Sequence, residues 1–287
     1  MPRPGASVIV PFRGDASQAA RLARSLALLE VGPGDEVVVA DNSDAGVSFA
    51  EGSGVRVVQA TSVRSSYFAR NAGAGAATKR EDAERWLLFT DADCMPVPWL
   101  LDAYFTQPVA DDVGALAGSV LSDPAQRHFL ARYATDRGFL DQEAGLHTAE
   151  DAAATANLAV RRSAFDEIGG FEEGIRSGGD VDLCRRLVGA GWRIERRPGA
   201  IVTHLHRESL SDLMATIARY ASGARWLNER YPGSAPEWPL VPGLIHCAKD
   251  IGSELSRMRF ERAAFRGVDA LGLLAHTAGY RRSNAAT

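Results

Sequence analysis

Two aspartates that directly follow an apolar run form the first group of residues with chemical potential. Asp91 and Asp93 come after residues 86–90 (WLLFT), which have the composition of a buried strand. Because side chains alternate along an extended chain, both carboxylates project to the same side. Such a pair, together with a diphosphate, can bind a hard divalent cation such as Mg²⁺ or Mn²⁺. The alternative interpretation is structural, since aspartates at strand ends are common turn formers.

A second acidic pair follows two glycines. Asp180 and Asp182 come after Gly178-Gly179, at the start of a predicted amphipathic helix over residues 181–188. Glycine lets the backbone approach a ligand, and an exposed carboxylate at a helix start can act as a general base. Aspartate is also a favoured helix N-cap. We expect both roles to occur, divided between the two residues, with Asp182 also a candidate for a substrate or phosphate contact.

Two histidines complete the set of candidate residues. His204 and His206 follow a predicted strand over residues 200–203 and would face the same side if that strand continues. Imidazoles in such a position can bind a metal or contact phosphate. We expect one of the two to be structural, and the spacing alone does not decide which.

These residues require a scaffold that brings the ends of several strands together. The predicted strands cover residues 7–10, 36–40, 55–58 and 86–90. The predicted helices between and after them cover residues 19–29, 69–78 and 99–105. This alternation predicts an α/β fold with a mostly parallel, Rossmann-like sheet flanked by helices. Ligands of such sheets bind beyond the carboxyl ends of the strands, where Pro11, Asp41, Ser62 and Asp91 fall.

The last part of the chain has a different character. We place a boundary near residue 235, so that residues 1–235 form the main domain and residues 236–287 a helical appendage. Basic and apolar side chains mix in this appendage, namely Arg257, Arg259, Arg262 and Arg266 with Leu255, Met258, Phe260 and Phe265. Such a mixture predicts either peripheral contact with an anionic membrane or a helix packed back on the main domain.

Composition narrows the range of functions. The 287 residues carry a formal net charge of −4, which argues against a non-specific nucleic-acid binder. Three cysteines, Cys94, Cys184 and Cys247, form no CxxC pair. The sequence has no obvious signal sequence and no apolar run of about 20 residues, so it predicts a cytoplasmic protein. Any membrane contact is expected to be peripheral.

An ordered set of motifs between residues 7 and 231 resembles the family 2 glycosyltransferases. The motifs are VIVPF, VVVADNS, ARNAG, LLFTDADC, ANLAVRRSAFDEIGGF, GGDVDLCRRL and VTHLHR. The resemblance implies a GT-A fold, a nucleotide-sugar donor such as a UDP-sugar, a Mn²⁺ or Mg²⁺ ion, and inversion at the anomeric carbon. It also implies an acceptor that bears a hydroxyl group.

The same resemblance implies roles for individual residues on the donor side. Pro11 and Asp41 are expected around the nucleobase and ribose, and Arg70 with Asn71 at the edge of the nucleotide. Asp91 is expected near the ribose and the metal.

Further roles follow for the reacting side. Asp93 is similar to a direct metal ligand, Asp180 to a general base, and His204 to a histidine near the metal and diphosphate. Asn157 and Arg161 are expected either to line the sugar or acceptor side or to be turn and surface residues.

The sequence departs from the family pattern at two places, and two functions other than sugar transfer are alternatives. Many relatives carry a glutamate where this chain has Gly179, and the SGARW run at residues 222–226 lacks the glutamine of the QxxRW signature of processive synthases. We therefore expect transfer of a single sugar. A nucleotidyltransferase is disfavoured because no glycine-rich, lysine-containing loop follows the first strand. A non-catalytic nucleotide-sugar-binding protein is the other alternative.

Overall fold

The strands form a single mixed sheet. The computed structural model describes residues 3–44, 46–50, 52–79, 84–139 and 152–286. Its strands are β1 (Gly5–Phe12), β2 (Glu36–Asp41), β3 (Val55–Gln59), β4 (Arg85–Thr90), β5 (Cys94–Pro96), β6 (Val113–Ser122), β7 (Asn157–Arg161) and β8 (Arg193–His204). They pair in the order β3-β2-β1-β4-β7-β6-β8-β5.

Most neighbouring strands run parallel, as predicted. The parallel pairs are β1 with β2, β1 with β4, β2 with β3, and β6 with β8. Strand β7 runs antiparallel to both of its neighbours, and β5 runs antiparallel to β8. In the β4–β7 pair Asn157 lies opposite Thr90, so the start of β7 meets the end of β4 just before Asp91. The reversed strand thus contributes its amino end to the edge where the parallel strands finish.

Helices cover the sheet and continue beyond it. They are α1 (Ala16–Leu26), α2 (Ser66–Ala76), α3 (Leu100–Tyr104), α4 (Phe129–Asp136), α5 (Arg162–Glu167), α6 (Gly179–Gly189), α7 (Leu210–Arg230), α8 (Leu240–Ser256) and α9 (Phe260–Tyr280). Alternate residues of the central strands enter two separate cores: Leu88 packs with Leu22 of α1, whereas Leu87 packs with Leu183 of α6. This division is what strands buried on both faces require.

The final helices pack on the main domain. Helix α9 contacts both α7 and α8 along its length. Its end approaches α7 very closely, since a Cβ on Gly279 would lie 2.1 Å from the carbonyl oxygen of Ala218. The helices predicted for residues 236–287 are present, and α9 contacts both α7 and α4. Within the described part of the chain, no helix combines the length and the apolar composition that crossing a bilayer requires.

Candidate active site

A large cleft opens at the carboxyl ends of the central strands. Its volume is about 1590 Å³, and its walls include Pro11 at the end of β1, Asp91 and Asp93 after β4, and Asp180 at the start of α6. Ligand pockets for one small molecule usually measure roughly 300–1,000 Å³. The cleft therefore has room for two substrates, and it lies where open α/β sheets bind their ligands.

Arg70 and Asp91 form the ion pair in the middle of the cleft. Arg70 lies on α2 and is only 4% exposed, and its guanidinium donates to a carboxylate oxygen of Asp91. The same guanidinium stands 5.5 Å from the ring centre of Tyr67 and 5.9 Å from that of Phe171. The aromatic rings and the carboxylate together stabilise this buried cation.

Asp93 meets His204 through the pairing of β5 with β8. Cys94 lies opposite His204 in that pair, which places the imidazole Nε2 3.4 Å from a carboxylate oxygen of Asp93. Arg207 approaches the same oxygen at 3.6 Å. Burial opposes ionisation of Asp93, but His204 and Arg207 hold the pKa of its carboxyl below the usual value. Asp93 is therefore an anion with a neutralising partner on one side and the open cleft on the other.

The Asp93–His204 pair has the features expected of part of a metal site. The Nδ1 atom of His204 is buried and has no hydrogen-bond partner among the described residues. Carboxylate oxygen and imidazole nitrogen are ligands that suit Mn²⁺, and oxygen ligands suit Mg²⁺. The described residues hold no group of three or more His, Cys, Asp or Glu side chains arranged as a metal cage. The pair thus offers one carboxylate and one imidazole to an ion, and of the two only Asp93 is among the residues that line the cleft.

His206 has a different environment from His204. Its Nε2 lies 2.8 Å from the hydroxyl of Ser122, and its backbone N–H donates to Gln126. Burial lowers the pKa of the His206 imidazole to about 4, so this ring is neutral near pH 7. Although His206 lines the cleft, its polar contacts tie β6 to the chain after β8.

Asp180 is the carboxylate on the far wall of the cleft. The N-cap of helix α6 is Gly178, the residue before the helix, and not an aspartate. Gly178 has a left-handed conformation with a φ of 88°. The Asp180 carboxylate accepts from the N–H of Val181 at 3.1 Å. Burial raises the pKa of the Asp180 carboxyl, while the charge of Arg70 acts in the opposite direction. The prediction that one of the two aspartates caps the helix is therefore wrong, because a glycine already supplies the turn.

Asp182 has no access to the cleft. Its side chain is fully buried and pairs with Arg186 and Arg230, each at 2.8 Å, while the hydroxyl of Tyr231 donates to it at 2.8 Å. These contacts fasten α6 to the end of α7. The expected substrate or phosphate contact by Asp182 is corrected to a structural role.

Two residues expected at the nucleotide also turn away from the cleft. Asp41 is fully buried, and its carboxylate accepts from the backbone N–H groups of Ser43 and Val47. Asn42, one residue later, lines the cleft in its place. Asn71 exchanges hydrogen bonds with the backbone of Phe171, which ties α2 to that segment. Both expectations are corrected: Asp41 satisfies backbone groups of the turn that follows it, and Asn71, inside α2, satisfies the backbone of a distant segment.

Asn157 and Arg161 are neither cleft residues nor surface residues. Asn157 is fully buried, accepts from the hydroxyl of Tyr104 at 2.6 Å and donates to the carbonyls of Ser119 and Ala200. Arg161 donates to the carbonyls of Val113 and Ala110 at the other end of β7. Both lie within the sheet, so both alternatives from the sequence are corrected.

Sequence reasoning missed several arginines and one tyrosine of the cleft. Arg207, Arg219 and Tyr220 come from the chain after β8 and from α7, and Arg219 stacks 5.0 Å from the ring centre of Tyr220. Only Arg207 stands next to a recognised motif, VTHLHR. The other two lie on a helix whose exposed face carries no signal of its own.

Gly179 fits closely against Tyr67. A Cβ at position 179 would lie 2.8 Å from two carbons of the tyrosine ring. The ring thus occupies the volume that a larger residue before Asp180 would need. This contact accounts for glycine at the position where the resemblance leads one to expect glutamate.

Comparisons with known proteins agree with this architecture. Residues 2–223 match the family described as glycosyltransferase like family 2. Two curated relatives from strains of Mycobacterium tuberculosis, both called pre-mycofactocin glycosyltransferase, are 30% identical over 263 residues, which are 88% of this chain. That stretch is 54% of each relative, so the chain spans about half of their length.

A solved structure supports the fold. It is the mannosyltransferase PcManGT from Pyrobaculum calidifontis in complex with GDP-Man and Mn²⁺, with a TM-score of 0.57 and 17% identity. The alignment covers 96% of this chain and 74% of that one. At this identity the likeness concerns the fold alone, and it confirms the predicted GT-A architecture.

The burial of Asp182 leads to a stability prediction. We expect Asp182→Asn to lower the free energy of unfolding by roughly 3 kcal/mol, because two arginines lose their carboxylate partner. The matched variant Asp180→Asn should melt close to the wild type, since its carboxylate joins no such pair. Thermal melts of both proteins test this, and equal melting temperatures for Asp182→Asn and the wild type would contradict the structural role.

Substitution of the two histidines should have different effects on metal-dependent nucleotide binding. We expect His204→Ala to weaken the Mn²⁺-dependent part of UDP or GDP binding by at least about 10-fold, since it removes the imidazole beside Asp93. His206→Ala should change it much less, although it should lower the melting temperature. Titration calorimetry with Mn²⁺ and with chelator measures the difference, and the reverse ranking would move the ligand role to His206.

Proposed function

This chain belongs to the family 2 glycosyltransferases, and from that premise we propose that it transfers a single sugar from a nucleotide sugar to an acceptor hydroxyl with inversion. The observation that carries the proposal is the convergence of Asp91, Asp93 and Asp180 on one cleft at the ends of the strands. Arg70 connects them, because it is bonded to Asp91 and its charge acts on Asp180.

The charge of the cleft favours a diphosphate-bearing donor. Arginines line it from both halves of the chain, among them Arg13, Arg64, Arg207 and Arg219. A guanidinium group matches phosphate oxygens in geometry as well as charge. We propose a UDP-sugar as donor, with a GDP-sugar as the competing possibility because the structurally similar PcManGT was solved with GDP-Man.

A divalent cation fits the proposed donor site. Bound Mn²⁺ or Mg²⁺ supplies positive charge that stabilises the diphosphate as it leaves. Asp93 and His204 would hold the ion. Asp91, which shares one carboxylate oxygen with Arg70, would complete the acidic side.

Asp180 is the proposed general base. It accepts the proton of the acceptor hydroxyl while that oxygen bonds to the anomeric carbon, opposite the leaving group. The bond from the anomeric carbon to the diphosphate oxygen breaks, and its electron pair leaves with the nucleoside diphosphate, so the configuration inverts. Burial raises the pKa of Asp180, which makes it a stronger base than an exposed aspartate.

Transfer of one sugar is favoured over polymerisation by the environment of residues 222–226. Arg225 points to solvent and pairs with Glu229 at 2.7 Å. Trp226 packs against the core that contains Leu183. Ser222 stands where the QxxRW signature has glutamine, and this departure supports transfer of a single sugar.

Removal of Asp180 should separate chemistry from binding. We expect Asp180→Asn to lower kcat by roughly 10²–10⁴-fold, the usual contribution of a general base, with little change in donor affinity. Release of nucleoside diphosphate from UDP- and GDP-sugars, with water as acceptor, supplies the assay. Asp182→Asn, compared per folded molecule, serves as the control.

Two outcomes would contradict this assignment in different ways. Near-normal turnover by well-folded Asp180→Asn would place the base elsewhere. Binding of every nucleotide sugar without any turnover in the wild type, even with acceptors such as pre-mycofactocin, would favour the non-catalytic binding function.

We infer that α8 contacts an anionic membrane surface. Five of its exposed residues recur at the helical spacing of one face, namely Val241, Ile245, Ala248, Gly252 and Leu255. Met258 and Phe260, which are 75% and 63% exposed, extend this apolar stripe past the helix end.

The charges around the stripe fit the same surface. Asp250 pairs with Arg266, and Glu261 pairs with Arg132. Lys249, Arg257 and Arg262 are exposed and have no acidic partner within the described ranges. A helix with an apolar stripe and basic flanks is suited to the interface of an anionic bilayer.

Vesicle sedimentation tests this surface. The wild type should bind vesicles that contain phosphatidylserine, with weaker binding at high salt, and should bind pure phosphatidylcholine vesicles less. Met258→Asp with Phe260→Asp should abolish binding, while Leu28→Asp, on an exposed residue of the sheet domain, should not. Equal sedimentation of the double variant and the wild type would contradict the proposal.

A further inference from the structure

The residues that follow α9 run alongside the chain that leads to Asp180. We call residues 283–286 the strap and residues 174–178 the glycine loop. The loop N–H of Arg176 donates to the carbonyl of Asn284 at 2.9 Å, and the strap N–H of Ala286 donates to the carbonyl of Gly174 at 2.9 Å. Ile175 and Ala285 pair between these bonds as an antiparallel bridge. The strap is thus hydrogen-bonded to the loop along its length.

The side chain of Asn284 adds a second level of attachment. It is 7% exposed, and its Nδ2 donates to the carbonyl of Ser177 at 2.9 Å. Its Oδ1 lies 3.3 Å from the hydroxyl of Ser222 on α7, which also donates to the carbonyl of Arg219 at 2.7 Å. A buried amide bonded in this way fixes its main partner, Ser177, because losing that bond would leave a buried carbonyl unpaired. Asn284 therefore joins the glycine loop to α7.

The loop is also held from its other sides. The hydroxyl of Ser65, the N-cap of α2, donates to the carbonyl of Ile175 at 2.7 Å. Below the loop, a Cβ on Gly223 would lie 2.7 Å from the Cβ of Ser177, so α7 touches the loop backbone directly. The strap bonds the loop at Gly174, Arg176 and Ser177, directly before the left-handed turn at Gly178.

The packing of α9 delivers the strap to this place. The contact of Gly279 with Ala218 leaves no room for a side chain at the end of α9. This close contact fixes the end of α9, after which the strap follows. The helices after residue 235 therefore have a direct structural connection to the wall of the cleft that bears Asp180.

We propose that the strap is a positioning element for the general base, and that Asn284 is its principal positioning residue. This proposal rests on the proposed function, because it takes Asp180 as the general base, which must be held in a fixed position for proton transfer. Ser177 stands three residues before Asp180, so loss of the Asn284 anchor lets the start of α6 shift relative to the donor. A displacement of about 1 Å at a reacting group can lower a rate by roughly 10²-fold.

Hydrogen exchange tests the strap without reference to activity. In Asn284→Ala the amide of Arg176, which the strap protects, should exchange at least about 10-fold faster than in the wild type. Ala286→Pro, which removes the N–H that bonds Gly174 but opens no buried cavity, provides a second variant if Asn284→Ala folds poorly. Ser283→Ala is the matched control, because the Ser283 hydroxyl bonds only the neighbouring N–H of Ala285 among the described residues.

Steady-state kinetics then tests positioning. Turnover of the nucleotide sugar should fall roughly 10–100-fold in Asn284→Ala and in Ala286→Pro, whereas UDP or GDP affinity with Mn²⁺ and the melting temperature of Ala286→Pro stay near the wild-type values. Ser283→Ala should change none of these. A loss of affinity as large as the loss of turnover would overturn the proposal in favour of general loosening.

The remaining outcomes distinguish the strap as a structural restraint from its role in positioning Asp180. Unchanged exchange at Arg176 in both strap variants overturns the strap as a restraint. Faster exchange with unchanged turnover overturns its role in positioning. If Asp180→Asn retains full turnover, the failure lies in the proposed base, and the exchange result still reports on the strap.

Discussion

The buried guanidinium of Arg70 is the interaction on which the arrangement of the cleft depends. It belongs to α2, bonds the first carboxylate after β4, and stacks on rings from α2 and from the segment before the glycine loop. A cation this deeply buried is stable only if all these partners stay in place. The pair therefore ties α2 to the end of β4, and the ring of Phe171 links both to the segment that leads towards Asp180.

Much of the fold follows from sequence pattern, for identifiable reasons. Apolar runs such as residues 36–40 and 86–90 are buried on both faces, so composition alone marks them as strands. Strand β8 is harder, since it begins at Arg193 and its first part, RIERRPG, is mostly charged and contains a proline and a glycine. Only its last residues look like a strand in the sequence, and its start is stabilised by pairing with the distant β6.

The site shows the same limit more clearly. Asp91 and Asp93, just after β4, and Asp180, in the first turn of α6, all line one cleft. Whether a polar side chain then faces the ligand or the protein depends on nearby backbone groups that sequence does not show. Asp41 and Asn71 satisfy such groups, and Asp182 differs from Asp180 because Arg186, Arg230 and Tyr231 surround its carboxylate.

The contact between Gly179 and Tyr67 has a consequence for protein engineering. An acidic residue at position 179 needs the space that the ring fills, so it requires a smaller residue at position 67. The same ring, however, is one of the two platforms beneath Arg70. A side chain at position 179 and the Tyr67 ring beside Arg70 thus compete for the same space, so a redesign that enlarges residue 179 must also change residue 67.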